Sequence, residues 1–172
     1  MLQRIFLVGP MGAGKTTVGK QLAKLLNFAF IDLDAEIESR CGADIQWIFD
    51  VEGEEGFRRR ESSILSEVAA QDRIVIATGG GVVLRPENRG LLKKSGTVIY
   101  LSIPAEALYQ RTLRDTKRPL LQVEDRRAVI ERLIAEREPF YQEVADIIYD
   151  GVNANPQASA NALISLIQDR RG

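Results

Sequence analysis

The phosphate-loop pattern G-x-x-x-x-G-K-[ST] is matched at every fixed position by Gly9-Pro10-Met11-Gly12-Ala13-Gly14-Lys15-Thr16. The apolar run Ile5–Val8 leads directly into this loop, and apolar residues at helical spacing follow it over Lys15–Leu26. Glycines let backbone N–H groups curve around phosphate oxygens, and the start of a helix adds unpaired N–H groups and a positive dipole end. A buried strand, a glycine loop and a helix in this order therefore predict a site for a nucleotide phosphate.

Two side chains at the end of the loop carry specific expectations. Lys15 is expected to reach the β- and γ-phosphates, and the hydroxyl of Thr16 is expected to ligate Mg²⁺. The alternative is a glycine-rich strand-to-helix turn without a ligand. The complete match and the flanking strand and helix patterns disfavour that alternative.

Composition narrows the class of protein. The chain has 172 residues, of which 45% are hydrophobic and 27% charged, as expected for one globular domain over residues 1–172. The net charge of −1 disfavours nucleic-acid or anionic-membrane binding, and no apolar run has the length of a membrane span. The single cysteine, Cys41, excludes an intrachain disulfide, as expected in a reducing cytoplasm. Because there is no histidine, serine–histidine triads and histidine bases are excluded.

Apolar runs alternate with amphipathic stretches along the whole chain. The candidate strands are Ile5–Val8, Phe28–Asp32, Ile74–Thr78, Thr97–Leu101 and Ile147–Tyr149. The helical patterns are Lys15–Leu26, Ala35–Arg40, Ile45–Asp50, Gly53–Ala70, Pro86–Lys94, Pro104–Arg114, Asp125–Val144 and Pro156–Arg170. This alternation predicts a parallel α/β sheet with helices on both faces and ligands beyond the carboxyl ends of its strands. Pro139, inside a helical pattern, predicts a kink or break.

Asp32 and Asp34 close the second candidate strand beside the phosphate loop. Alternate residues of an extended segment face one side, so both carboxylates are expected to project toward one site. One would complete Mg²⁺ coordination, and the other would bind a hydroxyl and accept its proton. The alternative is that Asp34 only caps the following helix.

Two further features point to a small substrate. Gly79-Gly80-Gly81 follows the third strand, where three glycines predict a close approach to the backbone, with a tight turn as the alternative. The polar segment Thr116–Asp125 reads as a mobile loop that acts as a lid. Arg118 lies in that segment and is the natural cation for a transferring phosphate.

Together these motifs resemble the shikimate kinases, over nearly the whole chain. The resemblance rests on the loop Gly9–Thr17, Asp32-x-Asp34, Ile48-Phe49-x-x-x-Gly53-Glu54-x-x-Phe57-Arg58-x-x-Glu61, Gly79-Gly80-Gly81, Arg118-Pro119-Leu120-Leu121 and Glu136-Arg137-x-Pro139-x-Tyr141. It implies a five-stranded parallel sheet in the order 2-3-1-4-5 with a mobile lid over residues 112–125 and a substrate-binding region over residues 34–61. It also implies a monomer that transfers the γ-phosphate of ATP to the 3-hydroxyl of shikimate.

The resemblance also implies a role for each matching residue. Those implied to bind ATP are Gly12, Ala13, Gly14, Lys15, Thr16, Thr17, Arg111, Arg118 and Pro156, with Arg111 and the loop 153–156 flanking the adenine. Those implied to bind shikimate are Asp34, Arg58, Gly79, Gly80, Gly81 and Arg137. Lys15, Asp34 and Arg118 are implied to be catalytic, and Thr16 and Asp32 to serve Mg²⁺.

Two other classes of function remain open at this point. The first is another kinase of small metabolites with the same architecture, such as a gluconate kinase or a nucleoside monophosphate kinase. The paired Arg58 and Arg137 favour a carboxylated acceptor, and the aromatic content of 6% disfavours a slot for a nucleobase. The second is a non-catalytic ATP-binding switch domain, which would have no need of Asp34.

Overall fold

The five apolar runs form five parallel strands in one sheet. The computed structural model of the chain describes residues 3–113 and 125–172. The strands are β1 (Arg4–Val8), β2 (Ala29–Asp32), β3 (Ile74–Ala77), β4 (Thr97–Ser102) and β5 (Ile147–Asp150). Their order is β2-β3-β1-β4-β5, and every neighbouring pair is parallel. The predicted fold class and strand order are confirmed.

Helices on both faces connect these strands. They are α1 (Lys15–Leu26), α2 (Leu33–Cys41), α3 (Ile45–Val68), α4 (Pro86–Ser95), α5 (Ala105–Thr112), α6 (Arg126–Val144) and α7 (Pro156–Asp169), with a 3₁₀ turn at Val82–Leu84. Side-chain caps begin several of them: Asp44, Asp125 and Asn155 each accept a hydrogen bond from the backbone N–H three residues later. Each predicted helix is present, with shifts of a few residues at its ends.

Alternate strand residues build a core on each face of the sheet. Phe6 and Val8 of β1 pack on the face covered by α2, α3, α4 and α6. Ile5 and Leu7 point to the opposite face, which α1 and α7 cover. Residues 5–8 of β1 and all of β3 are buried, and both runs are continuously apolar, as expected for strands covered on both faces. This packing holds the carboxyl ends of β1, β2 and β3 side by side at one edge of the sheet.

Three local predictions differ from the observed backbone. Strand β2 ends at Asp32, whose carboxylate caps α2, so Asp34 lies in the first turn of that helix and is neither extended nor the cap. By contrast, the break predicted between the helical patterns Ile45–Asp50 and Gly53–Ala70 is present as a kink within α3 at Gly53, where φ is 72° and ψ is 177°. Helix α6 continues through Pro139 rather than breaking. Pro104 precedes α5 as its cap instead of occupying its first position.

Within residues 3–113 and 125–172, no helix combines the length and apolar character needed to cross a bilayer. Residues 114–124 of the predicted lid, which include Arg118, lie outside the described residues. On either side of residues 114–124, Thr112 is the last residue of α5 and Asp125 is the N-cap of α6.

Candidate active site

The loop between β1 and α1 curls around its own lysine. Gly9, Gly12 and Gly14 all have positive φ, at 144°, 86° and 95°, which glycine adopts without strain. Lys15 is buried, and its Nζ donates to the carbonyl oxygens of Gly9 at 2.6 Å and Pro10 at 2.9 Å. The ammonium group is therefore held by the backbone of the loop whose sequence predicts phosphate binding.

Thr16 and Asp32 offer a pair of hard oxygen ligands. The Thr16 hydroxyl donates to Oδ2 of Asp32 at 2.5 Å, while Oδ1 of the same carboxylate accepts from the Ala35 amide at 3.0 Å. The described residues contain no group of three acidic, cysteine or histidine side chains that could hold a metal ion. The oxygens of Thr16 and Asp32 suit Mg²⁺, which takes one or two protein oxygens and fills its remaining positions with water and phosphate. The structure thus brings together Thr16 and Asp32, the two residues predicted to serve Mg²⁺.

Asp34 lies against the glycine segment from the side of α2. A methyl group at Gly79 would stand 2.7 Å from Oδ1 of Asp34 and 3.3 Å from Oε2 of Glu61. Only a residue without a side chain allows this approach, which is the physical reason for the glycine. The Asp34 carboxylate thus lies beside the glycine segment, although it comes from a helix and not from a strand.

Arg58 approaches the third glycine from α3. A methyl group at Gly81 would collide with Nη2 of Arg58 and stand 2.6 Å from its Cζ. Arg58 is 8% exposed, and its Nη1 donates at 3.0 Å to Oε1 of Glu61, which is fully buried. Burial raises the pKa of Glu61, and the charge of Arg58 opposes that rise. The pair holds the guanidinium group in one place at the glycine segment.

Arg137 reaches the middle glycine from α6. A methyl group at Gly80 would stand 3.2 Å from Nη1 of Arg137 and 3.4 Å from the backbone nitrogen of Met11. Arg137 is 7% exposed. The middle glycine therefore joins the two halves of the site, because it lies between a buried arginine and the phosphate loop.

Arg111 lies on the other side of the phosphate loop. It donates to the carbonyl oxygens of Gly12 at 2.9 Å and Val152 at 3.3 Å. A cavity of ≈ 210 Å³ adjoins it, and Pro156, Gly14 and Thr17 are among the lining residues. The predicted flanking pair, Arg111 and Pro156, thus borders one cavity next to the loop.

The family model for shikimate kinase matches residues 11–168 of this chain. The chain belongs to the shikimate kinase family. A shikimate kinase of Histophilus somni is 56% identical over 168 residues, covering 97% of this chain and 96% of the relative. This match decides against the gluconate kinase and nucleoside monophosphate kinase alternatives.

Solved structures of the family agree with the fold. A shikimate kinase from Acinetobacter baumannii in complex with shikimate has a TM-score of 0.95 and 46% identity, covering 99% of this chain and 95% of that one. A shikimate kinase from Bacteroides thetaiotaomicron has a TM-score of 0.91 and 36% identity, covering 98% and 99%.

Sequence reasoning assigned no role to two residues of the site. Glu61 was part of the quoted motif, and its signal is the three-residue spacing from Arg58, which places both on one helix face. Tyr141 was likewise only part of a motif, and its hydroxyl donates to the Gly80 carbonyl at 2.6 Å. No spacing in the sequence relates Tyr141 to a glycine that lies 61 positions earlier in the chain.

The close approach of Arg58 to Gly81 leads to a prediction about stability. Gly81→Ala should lower the free energy of unfolding by about 1–3 kcal/mol, because the methyl group must push the buried Arg58 away from Glu61. Its φ of −97° is open to alanine, so backbone strain does not contribute. The matched control is Gly90→Ala in α4, where nothing lies within 4 Å. There we expect a gain of about 0.5–1 kcal/mol from helix propensity. Equal changes in urea unfolding would contradict the contact.

Proposed function

We propose that this chain transfers the γ-phosphate of ATP to the 3-hydroxyl of shikimate, releasing ADP and shikimate 3-phosphate in aromatic amino acid biosynthesis. The observation that carries the proposal is the convergence of Arg58, Arg137 and Asp34 on Gly79-Gly80-Gly81 beside the phosphate loop. Membership of the shikimate kinase family supports it, as does the 0.95 TM-score match to a family structure in complex with shikimate.

The acceptor is recognised through its carboxylate and hydroxyls. The guanidinium groups of Arg58 and Arg137 are both buried and have lost much of their water, so a further anion beside them is favourable although Glu61 already pairs with Arg58. A ring carboxylate fits between Arg58 and Arg137 because the planar guanidinium binds a carboxylate through two parallel hydrogen bonds. Asp34 is then placed to accept hydrogen bonds from the ring hydroxyls.

The nucleotide is held by the loop on the opposite side of Gly80. Backbone N–H groups of Gly12, Ala13 and Gly14, with Thr17, line the phosphates, and Lys15 exchanges its carbonyl partners for phosphate oxygens. Thr16 and Asp32 would hold Mg²⁺, which neutralises charge on the phosphates when bound. Arg111 and Pro156 would flank the adenine.

The chemical step needs little covalent help from the protein. The 3-hydroxyl oxygen bonds to the γ-phosphorus as the bond from that phosphorus to the β–γ bridging oxygen breaks, and ADP leaves with the bond's electron pair. The hydroxyl proton passes to the Asp34 carboxylate. Lys15, and Arg118 from the lid, stabilise the charge spread over the transferring group.

We propose one working unit over residues 1–172, with residues 34–61 binding shikimate and residues 112–125 closing as a lid. The proposed contacts with ATP and shikimate all come from a single chain, so a monomer is expected to be active. A lid excludes water from the reactive phosphate, which would otherwise be hydrolysed.

The direct test is ADP release measured with three acceptors. Shikimate should support rapid ADP release, whereas gluconate and nucleoside monophosphates should give only the background rate. Lys15→Met serves as the background control. Release with gluconate that matches release with shikimate would overturn the proposed acceptor.

Substituting Arg58 tests the carboxylate contact. Arg58→Lys keeps the charge but loses the paired geometry, so the KM for shikimate should rise by the equivalent of about 1.5–3 kcal/mol, with the KM for ATP nearly unchanged. Arg59→Lys, on the exposed face of the same helix, is the matched control. Steady-state kinetics with each substrate varied in turn give the KM for shikimate and the KM for ATP.

A shikimate carboxamide completes the test as a double cycle. Wild type should bind the amide about as weakly as Arg58→Lys binds the acid, and combining the two changes should cost much less than their sum. Strict additivity would place Arg58 away from the carboxylate.

A further inference from the structure

The three carbonyl oxygens of the glycine segment are held in two different ways. The Gly79 oxygen accepts from the Val82 amide at 3.2 Å, and the Gly81 oxygen accepts from the Leu84 amide at 3.1 Å. Both bonds belong to the local 3₁₀ turn. The Gly80 oxygen instead accepts from the hydroxyl of Tyr141, 61 positions away in the chain, at 2.6 Å.

The peptide between Gly80 and Gly81 lies between the two arginines. Gly80 faces Nη1 of Arg137, and Gly81 faces the guanidinium of Arg58. Glycines have more backbone freedom than any other residue, so this peptide needs an external contact to keep one orientation. The Tyr141 hydroxyl supplies that contact at the carbonyl that separates the two cationic groups.

The Tyr141 side chain is itself held firmly. It is fully buried, and its ring packs on that of Tyr100 with 5.0 Å between centroids and 30° between planes. Burial raises the pKa of Tyr141 to about 12, so the hydroxyl keeps its proton and remains a donor at neutral pH. Tyr141 follows Arg137 by four residues on α6, so both lie on the same helix face.

We infer that Tyr141 is a positioning residue that fixes the Gly80–Gly81 peptide and thereby the spacing of the carboxylate pocket between Arg58 and Arg137. The inference rests on the proposed function, because it assigns that pocket to the acceptor's carboxylate. Tyr141 is assigned no contact with the reacting atoms or the phosphates, because its hydroxyl acts through the Gly80 carbonyl. Its loss should weaken binding of the acceptor and leave binding of ATP and the chemical step largely unchanged.

Tyr141→Phe removes the hydroxyl and keeps the ring. We expect the KM for shikimate to rise about tenfold, the scale for a buried carbonyl that loses its hydrogen bond. The KM for ATP and kcat should stay within about twofold. The matched control is Tyr100→Phe, which removes a hydroxyl from the same stacked pair, where it donates to Glu138 and not to the glycines. That control should leave the KM for shikimate unchanged.

Comparing shikimate with its carboxamide distinguishes a positioning role of Tyr141 from a general loss of order in the site. If Tyr141 acts through the carboxylate pocket, Tyr141→Phe should weaken binding of shikimate in calorimetry far more than binding of the amide. Equal loss of shikimate and amide binding would overturn the inference. So would parallel increases in the KM values for ATP and shikimate, or equal effects of Tyr141→Phe and Tyr100→Phe.

The two proposals fail in different ways. A wild-type chain that releases no ADP with shikimate overturns the proposed function, whatever the variant does. A wild-type chain that does so, beside a Tyr141→Phe variant with the same shikimate KM, overturns only the role of Tyr141. Thermal unfolding of both tyrosine variants verifies that the comparison is made between folded proteins.

Discussion

Lys15→Met should reduce kcat for phosphoryl transfer by about a thousandfold or more, with the fold retained. The Nζ of Lys15 lies inside the loop, bound to the carbonyl oxygens of Gly9 and Pro10. When phosphate oxygens enter the loop, we expect the same ammonium group to stabilise the negative charge that moves onto the β–γ bridging oxygen. Methionine has a similar length but carries no charge and no donor, so that stabilisation is lost.

The matched control is Lys20→Met, on the exposed face of the same helix. It removes the same charge from α1 at a position away from the loop, and kcat should be unchanged. Coupled ADP release gives kcat, and circular dichroism verifies folding. Because Lys15 also bonds the loop in the free protein, its variant should lose some thermal stability. Turnover near the wild-type value in folded Lys15→Met would exclude the catalytic role.

Asp34→Asn should lower kcat by about a hundredfold or more, the usual scale for loss of an acid–base group. Asparagine preserves the shape and packs against Gly79 as the carboxylate does, but it cannot take the proton of the acceptor hydroxyl. Excess Mg²⁺ should not restore the rate. A kcat within a few-fold of wild type would mean that Asp34 only orients the hydroxyl.

The contrasting variant is Asp32→Asn. Asp32 shares a hydrogen bond with Thr16 and caps α2, so its loss should raise the Mg²⁺ concentration needed for half-maximal rate and also lower stability. Measuring the rate against Mg²⁺ for both variants separates the two carboxylates. Identical Mg²⁺ curves would contradict the division of roles between Asp32 and Asp34.

Local patterns predicted most of the fold because they act over short distances. The apolar runs of β1 and β3 are continuous since helices cover both faces, and those runs alone located the strands. The prediction for Asp34 was less accurate. The strand pattern was extended through it, but the Asp32 carboxylate accepts from the Ala35 amide and begins α2 two residues earlier. A capping bond competes with strand pairing, and periodicity does not reveal which prevails.

The sequence by itself determined the phosphate loop, the alternation of strands and helices, and the residue types that the site would use. The phosphate loop is contiguous, so eight consecutive residues are enough to predict its chemistry. Only the tertiary structure brought Arg58, Arg137 and Tyr141 onto consecutive glycines, from two helices that are distant in the sequence. Those contacts depend on how α3 and α6 pack over one end of β3. That packing follows from burial of many apolar side chains at once, and no local pattern encodes it.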